Sequence, residues 1–227
     1  MDPIDISQAI QRIAIMMPVF LFALVVHEYA HAWVANKFGD NTSEWQGRLT
    51  LNPAAHIDPI GTIALPMISI VFGGIFFGWA KPVPIDPRLF SNYRKGLFWV
   101  AFAGPLSNII FGFLAAFAYV AFLGFVANTN GFYPAGKQML EALMMINFSL
   151  AIFNLLPIPP LDGSNIVLSF LDYEASRKYM AIQQYSFFIL LALMFTGAIR
   201  ILSIPIILLA NLAVNLASHI FGFASLL

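Results

Sequence analysis

The 227-residue chain contains no cysteine. Disulfide staples, thiolate nucleophiles and thiolate metal ligands are therefore excluded. Charge is almost as scarce. Charged residues make up 10% of the chain against 60% hydrophobic, and the formal net charge is zero. Soluble domains carry about 25% charged residues, so a globular domain held by one anchor is excluded. The balanced charge gives no case for a nucleic-acid partner. Histidine is the third shortage. The chain has four, His27, His31, His56 and His219, so any metal must be held by these and by carboxylates.

What remains is apolar. The mean hydropathy is +0.82, and the chain divides into long uncharged runs broken by short polar turns. This predicts an all-α polytopic membrane protein of about five to six transmembrane helices, in one membrane-embedded domain over 1–227. A core over about 8–171 is followed by accessory helices over about 180–222. The first run, 10–26, continues as helix through His31 to about Phe38, where Gly39 is the stop signal. That is long enough to cross a hydrocarbon core of about 30 Å. Asp2 and Asp5 precede it where a cleaved signal would carry Lys or Arg, so the run is expected to be retained. Further spans are predicted at 97–126, 138–156, 182–199 and 204–221.

Val25-Val26-His27-Glu28-Tyr29-Ala30-His31 closes the first apolar run. Each charged residue at membrane depth costs about 2.5–3.5 kcal/mol on insertion scales. Three ionisable groups on adjoining turns need a reason to be there. His27 and His31 are four residues apart and project from one helix face. They can share a zinc ion, with Glu28 beside them as general base for an activated water. H-E-x-x-H also occurs by chance in ordinary helices; the lipid setting makes chance expensive here.

A catalytic zinc usually has three protein ligands and one open position. The third is expected from Asp162, which follows Pro157, Pro159 and Pro160 at the break of the 138–156 span. Non-helical backbone at membrane depth is tolerated only inside protein or beside a wet cavity. A helix N-cap would explain Asp162 alone, but not the prolines beside it. His56, in a polar loop, reads as a solvated side chain rather than a ligand, and His219 as a structural or interfacial one.

Between these halves, 47–53 alternates weakly and ends in Pro53, which reads as a short edge strand in a small β-hairpin near the site. A plain connecting hairpin has the same pattern. Such a strand, Arg48-Leu49-Thr50-Leu51, could take up a substrate segment as an added strand. Residues 61–80 carry no charge but include Pro66, Gly73, Gly74 and Gly78. The following Lys81, Arg88, Arg94 and Lys95 form the strongest positive cluster and belong in the cytoplasm.

Together His27-Glu28-x-x-His31, Gly104-Pro105-Leu106-Ser107-Asn108, and Asn154-Leu155-Leu156-Pro157 leading to Leu161-Asp162-Gly163 resemble the site-2 protease family of intramembrane zinc metalloproteases, peptidase M50-like. The resemblance covers roughly residues 15–170. Residues 47–53 and 56–59 resemble the short prokaryotic members, without a PDZ or CBS domain. The resemblance implies zinc on His27, His31 and Asp162, Glu28 activating water, and Asn154 near the substrate. It implies a transmembrane protein as substrate, in the lipid bilayer, with a membrane regulator as a further partner. A zinc transporter or an inactive helix-binding relative are the rival classes. The ligands must meet, so an even number of crossings separates them. That demotes 61–80 to a re-entrant segment, leaves five true spans, and puts the N-terminus outside and the site towards the cytoplasmic half.

Overall fold

The computed structural model describes residues 6–72, 78–126, 128–129 and 131–223. Among them every regular element is a helix. Helix α1 (Ile6–Lys37) is 32 residues long, about 48 Å at 1.5 Å per residue. It ends where Gly39 takes the left-handed φ of +103°. α2 (Thr42–Trp45) is a single turn. Asp58 then caps a wide helical turn at Pro59–Ala64, accepting from the amides of Ile60 and Gly61, and the turn runs into α3 (Leu65–Phe72).

The long α4 (Tyr93–Phe125) starts at Asn92, whose side chain accepts from Lys95 N. α5 (Tyr133–Asn154) follows, then α6 (Asp162–Phe170) and α7 (Tyr173–Met180), the last capped by Asp172. α8 (Ser186–Phe195) and α9 (Ser203–Phe221) complete the order.

α4 is the platform of the fold, and α1, α5, α6 and α9 all pack on it. The packing is inverted relative to a soluble bundle. Small residues line the inside: Ala101, Ala103, Ala115, Ala116 and Ala213 are buried, while Trp99, Ile110, Leu114 and Leu212 stay exposed. Small side chains let helix backbones approach closely where lipid removes any hydrophobic drive to associate. Gly112 shows the limit, because a Cβ there would lie 2.5 Å from the ring of Phe148. Two clusters fill the seams. Val19, Phe20, Ala23 and Leu24 of α1 meet Ile146 of α5. Ala115 and Ala116 meet Met144, Phe148, Ala210 and Ala213.

Three expectations are corrected. No strand occurs among the described residues, so the β-hairpin is absent there. The amides of Arg48 and Leu49 donate back to Ser43 O at 2.7 and 3.2 Å, folding the 47–53 stretch into turns instead of a ladder. The 182–199 span is broken into the tight turn Ala181–Tyr185, the ten-residue α8, and a left-handed Gly197 at φ +72°. The count of five to six spans is not supported either. Among the described residues three helices, Ile6–Lys37, Tyr93–Phe125 and Ala198–Phe221, are long and apolar enough to cross a membrane. Gly73 and Gly74 of the 61–80 segment lie outside the described residues. Its two ends meet, with Trp79 N donating to Gly61 O at 3.0 Å and Thr62 Oγ1 to Trp79 O at 2.7 Å.

Candidate metal centre

His27 and His31 stand one turn apart on α1, both buried, and Asp162 enters from the first turn of α6. His27 Nε2 lies 3.1 Å and His31 Nε2 3.3 Å from Asp162 Oδ2, and the two Nε2 atoms are 3.0 Å apart. Among the described residues this is the one group of three or more His, Cys, Asp or Glu side chains close enough to share an ion. Tetrahedral bonds to zinc of about 2.0–2.1 Å put ligand atoms about 3.3–3.4 Å apart. The observed triangle matches that scale.

The protons make the same point. His31 Nδ1 lies 2.6 Å from the backbone oxygen of Val100, which can only accept. His27 Nδ1 lies 2.6 Å from Asn108 Oδ1. Both Nδ1 atoms therefore donate, and in the neutral rings both Nε2 atoms carry lone pairs. Asp162 Oδ2, buried, has no hydrogen-bond donor of its own. A cation between three electron-rich atoms that face one another in a buried site would offset their mutual repulsion. Asp162 is not a helix cap either: Leu161 holds that position and the cap bond is absent. The donor set fits zinc.

Room for the ion depends on Gly104. A Cβ built there would overlap His31 Nε2 and come within 2.6 Å of His27 Nε2. α4 thus presents bare backbone to the site.

Glu28 lines the same cavity, of about 320 Å³, together with Asn154, Pro160 and Asn165. Its Oε2 accepts from the backbone amide of Val83 at 2.8 Å. Val83 belongs to a strap, residues 79–90, that places Val83, Ile85, Pro87 and Phe90 in the cavity lining. Side chains from the α1–α2 end pin the strap at each step. Arg48 donates to Lys81 O and Pro82 O at 2.7 and 3.1 Å, Ser43 to Pro84 O at 2.6 Å, and Asp40 accepts from Asp86 N at 2.7 Å. On its outer side Arg88 pairs with Asp86 at 2.6 Å, which holds the Asp86 carboxyl below its usual range.

The expected site residues divide accordingly. His27, His31, Glu28, Asp162 and Asn154 gather at one cavity. Arg48 faces the strap and is consumed by it. Leu51 lines a separate apolar groove with Phe22, Val26 and Trp33 on the outer face of α1. His56, expected to be solvated, is buried, with Nε2 donating to Thr50 O at 2.8 Å. Burial follows from that loop closing on itself, because Lys81 N donates to His56 O at 2.9 Å. His219 is exposed on α9. Sequence reasoning missed Val83, which meets Glu28 through its backbone amide and so leaves no signal in the sequence.

Comparison with known proteins follows the same lines. The model of peptidase family M50 matches residues 134–197, which include Asn154 and Asp162. "Putative zinc metalloprotease YwhC" of Bacillus subtilis is 39% identical over 186 residues, covering 80% of this chain and 82% of that protein. Rip2 of Mycolicibacterium smegmatis, similarly named, is 32% identical over 80% of this chain and 66% of its own length. Zinc metalloprotease MJ0392 of Methanocaldococcus jannaschii is 26% identical over 73% of this chain and 36% of its own. No solved structure matches the chain.

Proposed function

The chain belongs to peptidase family M50, and from that premise we propose that this zinc metalloprotease hydrolyses a peptide bond within or near the transmembrane segment of a membrane protein. The observation that carries the reading is the buried triangle of His27 Nε2, His31 Nε2 and Asp162 Oδ2 with Glu28 lining the same cavity. His27, His31 and Asp162 hold the metal. Bound there, zinc supplies Lewis acidity, polarising the scissile carbonyl and lowering the pKa of a water towards about 7.

The protein's own groups do the rest. Val83 N–H engages Glu28 Oε2 and leaves Oε1 to take a proton from the attacking water. The water oxygen bonds to the carbonyl carbon, the C–N bond breaks, and Glu28 passes its proton to the departing amine nitrogen. Asn154, which lines the same cavity, binds the substrate backbone. The scissile bond of a helical substrate is hidden by its own hydrogen bonds, so the substrate unwinds to enter. Arg48 and Thr50 contribute by shaping the wall through the strap and His56.

The molecule is a single membrane-embedded domain, multi-pass, in the cell membrane. Trp33, Trp45, Trp79 and Trp99 are all exposed and all belong to the end of the fold where α1 stops and α4 begins. Tryptophan collects at membrane–water interfaces. Lys37, Arg48, Lys81, Arg88, Arg94 and Lys95 lie in or beside the same connection, which by the positive-inside bias is cytoplasmic. The metal centre then lies towards the cytoplasmic half. The bonds between Trp79 and the Gly61–Thr62 pair support a 61–80 segment that enters the bilayer and returns.

Purified wild type and Glu28→Gln protein, assayed for zinc and incubated with single-span membrane substrates, test the proposal. Zinc content should be equal, and cleavage by the variant at least 10²-fold slower, the lower end of a general base's contribution. Equal cleavage would overturn the assignment of Glu28. Loss of neither zinc nor chelator-sensitive cleavage in Asp162→Ala would overturn the ligand set.

A further inference from the structure

Asn147 lies in the middle of α5 and does not touch the metal centre. It is fully buried, as is Asn108 of α4. An unpaired amide at such a position costs several kcal/mol in hydrocarbon, and these two are paired with each other. Asn108 Nδ2 donates to Asn147 Oδ1 at 2.8 Å and to Ala23 O at 3.0 Å. Asn147 Nδ2 donates to Leu143 O at 2.8 Å.

The two backbone oxygens remove any ambiguity in the amides. Ala23 O and Leu143 O only accept, so each must face an NH2 group. Asn147 therefore turns its oxygen to Asn108, and Asn108 turns its own oxygen to His27. His27 Nδ1 must then donate, 2.6 Å away, which leaves Nε2 with the lone pair that faces Asp162 and His31.

We propose that Asn147 is a positioning residue for the metal centre: acting through Asn108, it fixes the Nε2-presenting tautomer of His27. The relay crosses three helices, from α5 through α4 to α1. If Asn147 loses its acceptor, only Ala23 O still holds the NH2 of Asn108 away from His27, and a flipped amide would turn that donor to His27. A donor there forces the proton of His27 onto Nε2 and removes the ligand atom. This inference rests on the reading of His27 as a ligand. His31 needs no such relay, because its Nδ1 partner is the Val100 backbone oxygen.

The test uses the full chain in detergent, with zinc affinity read by competition against a chelator. Asn147→Leu should weaken zinc binding 10–100-fold, the usual cost of losing an outer-shell partner. Asn147→Asp keeps an acceptor for Asn108 but loses the donor to Leu143 O, and should bind zinc more tightly than Asn147→Leu. Asn108→Asp in the Asn147→Leu background should restore affinity, since a carboxylate cannot turn a donor to His27. Zinc binding by Asn147→Leu equal to wild type, or no rescue by the second change, would overturn the relay. A variant-free measurement stands beside these if the leucine chain fails to fold. In metal-free, histidine-15N-labelled wild type, His27 must carry its proton on Nδ1, and a proton on Nε2 would overturn the proposal. His27→Ala separates the two readings: undiminished zinc in that variant defeats the ligand assignment, whereas lost zinc there with none lost in Asn147→Leu defeats the relay alone.

Discussion

Glu28 Oε2 and the backbone amide of Val83 are joined by a 2.8 Å hydrogen bond across 55 residues of sequence. The carboxylate next to the metal triangle is thus aimed by a backbone group of the strap, between Pro82 and Pro84, which have no N–H of their own. Val83→Pro removes the donor and Val83→Ala keeps it. A hydrogen bond to a charged group is worth about 1.5–3 kcal/mol, so the proline variant should cleave substrate roughly tenfold or more slowly with unchanged zinc content. The alanine variant should match wild type. Equal rates for both would mean that Glu28 is oriented by something else.

Gly104→Ala places a methyl group against both His Nε2 atoms. In a helix, Gly to Ala ordinarily adds up to about 1 kcal/mol of stability. The expected outcome is therefore a split: zinc stoichiometry collapses while the melting temperature in excess chelator is unchanged or higher. A fall in both would point to general misfolding instead of a blocked site.

Arg48→Met leaves Lys81 O and Pro82 O without their partner. Orphaned acceptors cost about 1–3 kcal/mol, here concentrated in the strap. Limited proteolysis should cut within 81–86 faster than in wild type, and unfolding should shift by that amount. Unchanged protection of the strap would show that Ser43 and Asp40 hold it without help.

A reporter fused after Asp86 should read as cytoplasmic and one fused after Gly131 as external, since α4 alone separates them and is long and apolar enough to cross. An external reading at Asp86 would defeat the proposed orientation.

The site was more legible than the fold around it, for physical reasons. His27 and His31 announce themselves by helical spacing where charge is costly, and Asp162 by prolines that break a helix at depth. Their meeting is reproduced by the structure. The 47–53 alternation misled because its pleat-like pattern is satisfied locally, by Ser43 O and by the Arg48 side chain, neither of which periodicity reports. The 182–199 run misled for another reason. Its apolar composition reflects contact with a greasy environment, as the exposed Phe187, Phe188 and Phe195 show, and composition does not reveal that Gly197 and two tight turns interrupt the helix. His56 looked solvated because its partner is a backbone oxygen six residues away, a contact that only the closed loop creates.

The three groups at the triangle come from the two ends of a long stretch of chain, α1 and α6, and both of those helices are seated on α4. Under the ligand set proposed above, no local fragment can bind the ion tightly. Two histidines emerge early in synthesis, and the carboxylate arrives only after α4 and α5 have been made. Under that set the full binding energy would be available only to a chain in which α1 and α6 are already seated on α4. A chain packed otherwise would lack the third ligand, and with it the tight hold on the ion that the chemistry needs.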